Sequence, residues 1–241
     1  NMFYLSFDCA NKSLGVSFFE FNDQYKLSLI NLYNKFSLIK DNSCQPNNKN
    51  IIDQIVLLKT ILKNQNNFSQ YFSFLKELNK ILDSVFNIQF LNVVNLLQDK
   101  KTKDVSVLER SICLKNKLRE IDELVFKDKK NMIVCIEYQM NCNDKSRTIY
   151  NQLIYNYSCI DDVEVKIIAP AYKNKVYLNK DLKHNKFIQQ YKNNYIANKK
   201  HTAANLLYFA EVFGIDITHI KKKNIDDLAD SFLQALYLIY N

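Results

Sequence analysis

The chain has 241 residues, 47% of them hydrophobic and 24% charged, which is enough apolar side chain for one large domain or one domain carrying an insertion. Its 33 Lys and Arg against 25 Asp and Glu leave a net charge of +8, and such a surface attracts polyanions, nucleic acid first among them. No apolar run approaches the roughly 18 residues of a membrane span, and the six cysteines form no C-x-x-C pair and no Cys/His ligand spacing, against both a disulfide framework and structural zinc.

The opening segment NMFYLSFDCANKS lacks the positive start of a signal peptide and carries an Asp where the apolar stretch would continue, so the expectation is a soluble, non-exported protein. Three runs rich in aromatic and branched residues follow one another at 3–7 (FYLSF), 14–21 (LGVSFFEF) and 25–33 (YKLSLINLY). Asn11-Lys12-Ser13 and Asn22-Asp23 supply turn chemistry between them, which predicts a three-stranded antiparallel meander. Residues 40–50, with a proline and several asparagines, read as a loop. Over 51–127 the apolar spacing becomes helical, in the sets Ile51/Ile52/Ile55/Leu58/Leu62, Phe72/Leu75/Leu78/Leu82/Val85 and Val105/Leu108/Ile112/Ile121/Leu124/Val125. This stretch reads as a structural insertion of about three helices between the third and fourth strands.

The strand pattern returns at 132–136 (MIVCI) and 163–169 (VEVKIIA), with a helix over 146–157 between them. Residues 172–200 are polar, interleaving lysine and tyrosine. A helix over 201–213 closes at Gly214, and a last helix runs from about 225 to 240 with Asn224 placed to cap it. The expected fold class is α/β, a mixed five-stranded sheet flanked by helices in a single domain spanning 1–241.

Acidic residues stand at three places in this pattern. Asp8 ends the first strand, Glu137 ends MIVCI, and Asp226, Asp227 and Asp230 open the last helix in NIDDLADSF. Asp227 and Asp230 are i and i+3 and share a helix face, while Asp226 points roughly 100° from Asp227. Each has a plain explanation by itself, since acids in a first helical turn favour the positive dipole end and strand-end acids meet solvent. Taken together they could converge, because parallel neighbouring strands bring their carboxyl ends side by side. Four crowded carboxylates repel unless cations hold them, and hard oxygen ligands select Mg²⁺ or Mn²⁺.

On these residues the chain resembles the ribonuclease H-like superfamily. More narrowly, FDCANKS, CIEYQ and IDDLADSF resemble RuvC-type Holliday junction resolvases of the poxvirus and fungal mitochondrial branch. The resemblance implies a ribonuclease H-like sheet, metal-binding acids at Asp8, Glu137, Asp227 and Asp230 with Asp226 as the alternate, and two Mg²⁺ ions (or Mn²⁺) per site. It also implies a homodimer that resolves four-way DNA junctions by paired nicks, without organic cofactor or membrane, and it favours an intracellular location in the host cytoplasm, as a viral replication site, over the mitochondrial matrix, which stays open. The 51–127 stretch is longer than the corresponding part of poxvirus enzymes, and Tyr138-Gln139 follows Glu137 where Arg-Gln is typical. Other ribonuclease H-like cleavage, of RNA–DNA hybrids or flaps, would use the same acids, and a junction-binding protein without cleavage is a further alternative.

For DNA contact the candidates are Lys12, Gln139, Lys145, Arg147, Lys199, Lys200 and Lys222. With 30 lysines in the chain, any one of them is ordinarily a solvated surface charge. The segment 172–195 could stack on exposed bases. Tyr150, Leu153, Ile154 and Tyr157 on the 146–157 helix are candidates for a dimer interface, with packing onto the sheet as the competing explanation.

Overall fold

The computed structural model describes residues 2–10, 12–22, 24–25, 27–29, 31–32, 68–97, 100–126, 131–139, 144–177 and 180–240. The expected loop at 40–50 and the first helical set of 51–127 lie outside these residues. The strands are β1 (Met2–Cys9), β2 (Ser13–Phe21), β3 (Phe86–Asn95), β4 (Met132–Glu137) and β5 (Val163–Ile168), in the sheet order β3-β2-β1-β4-β5. β1 pairs antiparallel with β2 and parallel with β4, β2 pairs antiparallel with β3, and β4 pairs parallel with β5. The helices are α1 (Phe68–Asp83), α2 (Val107–Val125), α3 (Asp144–Ser158), α4 (His184–Gln190), α5 (Asn194–Phe213) and α6 (Ile225–Tyr240). The architecture is α/β, a five-stranded mixed sheet between two helical layers. Among the described residues no helix is long and apolar enough to cross a membrane.

Strand alternation separates the two layers. On β1, Leu5, Phe7 and Cys9 pack with Leu114, Leu118, Ile149, Leu153 and Tyr157 of α2 and α3. The intervening residues face α1, α5 and α6, where Tyr4 joins Phe19, Leu82, Phe209, Phe232 and Leu236. Burying each such large side chain contributes roughly 1.5–3 kcal/mol. Asp8 follows Tyr4 and Ser6 on that second face by the period of two. On β4, Val134 and Ile136 point to the first layer and Cys135 to the second, so Glu137 also faces α6.

Several sequence expectations change. The run 25–33 is not the third strand: Tyr25, 27–29 and 31–32 are helical, with Tyr25, Leu29 and Leu32 buried at i, i+4 and i+7 while Leu27 is 66% exposed. The third strand is β3, within the stretch read as a helical insertion, so 51–127 contains one of the sheet's own strands. β3 is an edge strand with Asn87, Gln89 and Asn92 turned outward, and its weak alternation is masked by the helical period of α1 just before it. On α2 the buried stripe is Arg110, Cys113, Leu114, Leu118, Ile121 and Val125, which leaves the expected Leu108, Ile112 and Leu124 more than half exposed.

The helix expected at 201–213 starts earlier. Asn193 caps α5, its side chain accepting from the Tyr195 and Ile196 amides, and Gly214 ends it at φ 65°. On α3, Leu153 and Tyr157 are fully buried under the sheet, and the Tyr157 hydroxyl donates to Asp122 at 2.9 Å, so packing explains that pattern. Cys9, Cys113, Cys135 and Cys159 are free thiols.

His201 is wholly buried against the ring edges of His184 and Phe187, at centroid distances of 5.1 and 5.4 Å. Burial, reinforced by His184, pulls its pKa down to about 4. Because the folded value lies below the unfolded value near 6.5, this stability is complete above pH 6.5 and is lost as pH falls towards 4. Urea titrations across that window should show a loss on the order of 3 kcal/mol, and the His201→Gln variant should flatten it.

Candidate functional site

The parallel register brings the first two acids together. Phe7 lies opposite Ile136, so the next residues, Asp8 and Glu137, are neighbours at the carboxyl ends of adjacent strands and face the same layer. Both are buried, at 5% and 6% exposure, and their carboxyl groups are close enough to interact electrostatically. Helix α6 crosses above them and supplies Asp227 and Asp230 from one face. Asp230 is buried, and Asp227 is 25% exposed at the side chain.

The helix reaches the sheet because the strands beneath it are bare. Gly15 lies opposite Asp8 in the β1–β2 pairing, and a Cβ there would sit 2.3 Å from the Asp227 carbonyl oxygen and 3.3 Å from the Asp8 Cβ. Ser6 and Ser17, the next cross-strand pair on this face, are small and fully buried. Ser13 donates its hydroxyl to Asp227 Oδ2 at 3.0 Å, fixing the first turn of α6 to the start of β2.

Two lysines stand among the acids. Lys173 Nζ donates to Glu137 Oε1 at 2.9 Å and Asp230 Oδ2 at 2.6 Å. Lys199 Nζ donates to Asp227 Oδ1 at 3.0 Å and Asp230 Oδ2 at 3.2 Å, and lies 3.9 Å from Asp226. Lys173 occupies the single 3₁₀ turn Tyr172–Lys175 just beyond β5. The Tyr172 ring stacks on Tyr237 of α6 at 4.5 Å and Val176 is fully buried, so the turn is pinned to the helix that carries Asp230.

The electrostatics follow from this crowding. Burial first, then the charges of Glu137 and Asp230, raise the Asp8 pKa well above the ordinary carboxylate value. Burial alone would lower Lys173 and Lys199, but Asp230 with Glu137 and Asp8 holds Lys173 above the usual lysine value, and Asp230 with Asp8 and Asp227 does the same for Lys199. Burial, Asp8 and Glu137 also raise the Cys9 thiol, so this cysteine is kept as an unreactive thiol.

The expected acids Asp8, Glu137, Asp227 and Asp230 are thus brought together, and Asp226 sits at the rim. Gln139 joins them, its Nε2 3.4 Å from Glu137 Oε2, and Lys199 does so from within α5, not ahead of a helix as the sequence suggests. Lys200, Arg147, Lys12 and Lys222 are exposed, and Lys145 is half-buried in the first turn of α3. Tyr172, counted among residues for base stacking, is committed to Tyr237.

Sequence reasoning missed Lys173 and Gly15. The glycine carried a signal, being one of only two in the chain and lying inside a strand, where a glycine marks close approach of another backbone. Lys173 carried a weaker one, its position just past a strand parallel to the one ending in Glu137.

Among the described residues no three His, Cys, Asp or Glu side chains form a metal-holding group as they stand, since the ammonium groups lie between the carboxylates. The donor set still suits a hard divalent cation. It is all oxygen, Asp230 Oδ1 is buried with no hydrogen-bond partner, and once a cation displaces the proton that burial favours on Asp8, four carboxylates would face only two ammoniums, an excess matched in charge by one divalent ion.

The Gly15→Ala variant should lose about 1–3 kcal/mol of stability by forcing β2 and α6 apart, read from its denaturant midpoint. Lys173→Met should lose roughly 3–5 kcal/mol in metal-free buffer by leaving Glu137 and Asp230 unpaired, and melting scans should show Mg²⁺ or Mn²⁺ raising its Tm by more than the parent's. No family model, curated protein or solved structure matches the chain.

Proposed function

We propose that the protein is a structure-selective endonuclease of the ribonuclease H-like type that resolves four-way DNA junctions by hydrolysing phosphodiesters. The observation that carries this reading is the meeting of Asp8, Glu137, Asp227 and Asp230, from two parallel strand ends and one helix face, in a protein of net charge +8. A basic protein concentrating its buried acids at one spot is suited to hold a cation against a polyanion.

In this reading Asp8, Glu137, Asp227 and Asp230 hold Mg²⁺ or Mn²⁺, which supplies Lewis-acid stabilisation of the reacting phosphate and lowers the pKa of bound water. With both lysines in place the charge excess accommodates one divalent ion, and a second would need Lys173 or Lys199 to give up its place. Lys199 is the more accessible of the two, being 20% exposed at the side chain against 10% for Lys173. A displaced Lys199 can reach a phosphate oxygen and offset charge developing there. Ser13 holds Asp227 in place, and Gln139 orients Glu137. Paired nicks on a symmetric junction require two such sites, hence two copies of the chain.

The test is cleavage of a labelled four-way junction with Mg²⁺, beside linear duplex and an RNA–DNA hybrid. Symmetric nicks that ligase reseals are expected, with Asp8→Asn and Asp230→Asn each slower by roughly a hundredfold or more. Cutting of the hybrid with the junction untouched would reassign the substrate, and junction binding without any cutting would refute the nuclease reading.

A further inference from the structure

A second feature adjoins the carboxylate cluster and carries the opposite charge. A cavity of about 840 Å³ opens between the start of β2, the end of β3 and the approach to α6. Five of the residues lining it are lysines, Lys12, Lys100, Lys101, Lys221 and Lys223, and none is acidic. All five are exposed. Lys100 reaches Glu109 at 3.2 Å. The other four have no carboxylate partner among the described residues. Like charges gathered without counter-charges repel, so an anion bound there relieves a cost the free protein carries.

The cavity shares a wall with the acids. Ser13 lines it and donates to Asp227 Oδ2, and Lys221–Asn224 leads directly into α6. Of the basic residues singled out in the sequence, Lys12 belongs to this lining, whereas Lys222 does not and its neighbours Lys221 and Lys223 do. The remaining two lysines come from the segment between β3 and α2.

We propose that this cavity is a phosphodiester-binding site, taking the backbone of a nucleic-acid strand as it runs towards the carboxylate cluster. Five ammonium groups on three separate chain segments suit an extended polyanion better than a single small phosphate. The lining holds no aromatic ring on which a nucleotide base could stack. Lysine point charges grip phosphates without reading sequence. Leu97, Lys100 and Lys101 thereby become part of the substrate surface and not merely of a connection. The site deepens the nuclease reading by giving one strand its path to the cluster, and it rests on that reading only for what happens at the end of the path.

Fluorescence anisotropy can test the site without cleavage, using the full chain carrying Asp8→Asn in EDTA with a fluorescein-labelled four-way junction and a labelled single strand. Adding Lys101→Glu and Lys223→Glu should weaken binding about tenfold or more, and flatten the dependence of log K on log salt by about 0.9 per lost contact on duplex and about 0.7 on the single strand. Lys76→Glu with Lys80→Glu on α1, both exposed and identical in charge change, should weaken it by less than about threefold. Equal losses in the two pairs, no loss in the first, or no binding by the Asp8→Asn parent would overturn the proposal. So would poly-glutamate competing as well as DNA per unit charge. Binding through the cavity by a protein that never cuts would retain the site and remove the nuclease reading, whereas a cutting protein indifferent to the cavity charges would do the reverse.

Discussion

Helix α6 brings carboxylates to the centre of the sheet only because β1 and β2 present almost no side chain beneath its first turns. Gly15, Ser6 and Ser17 form the floor of that contact, and the Asp227 carbonyl oxygen occupies the space a Cβ on Gly15 would fill. A larger residue at any of these positions would lift the helix. Asp227 would leave Ser13, and Asp230 would leave the neighbourhood of Asp8 and Glu137. Stability and site geometry therefore depend on the same few ångströms, and the apolar residues Leu228, Ala229, Phe232 and Leu236 hold the helix down along its length.

Bringing acids together in a buried place costs far more than the packing contributes unless counter-charge arrives with them. Lys173 and Lys199 supply it from different directions, one from a turn pinned to α6 by the Tyr172–Tyr237 stack, the other from α5. Neither lysine neutralises the site fully. Burial first, then the charges of Glu137 and Asp230, raise Asp8, and one Asp230 oxygen is left without a hydrogen-bond partner. An excess of negative charge that the fold tolerates but does not remove is the feature on which the proposed cation site rests.

Acidic and basic features divide the molecule's outer face into adjoining parts. The lysine-lined cavity and the carboxylate cluster meet at Ser13 and Asp227, so an incoming polyanion would be held by one and approached by the other. In the proposed reading this separation would let lysines supply affinity without approaching the acids so closely that they would be neutralised by them.

By itself the sequence determined the positions of four strands, most of the helices and the identity of the acids. Those features are local: aromatic and branched residues in FYLSF, an unbroken apolar run in MIVCI, a glycine stop at 214, and an Asp-x-x-Asp spacing that puts two carboxylates on one face. Only the tertiary structure decided which lysine answers which acid, because Lys173 lies 36 residues from Glu137 and 57 from Asp230, and no periodic pattern reports a contact at that separation. The third strand escaped because residues 25–33 fit both a two-residue and a helical period, and burial of Tyr25, Leu29 and Leu32 decides between them. Gly15 signalled that some backbone approaches β2 closely, but which one lay beyond the sequence, since that backbone belongs to a helix more than 200 residues away.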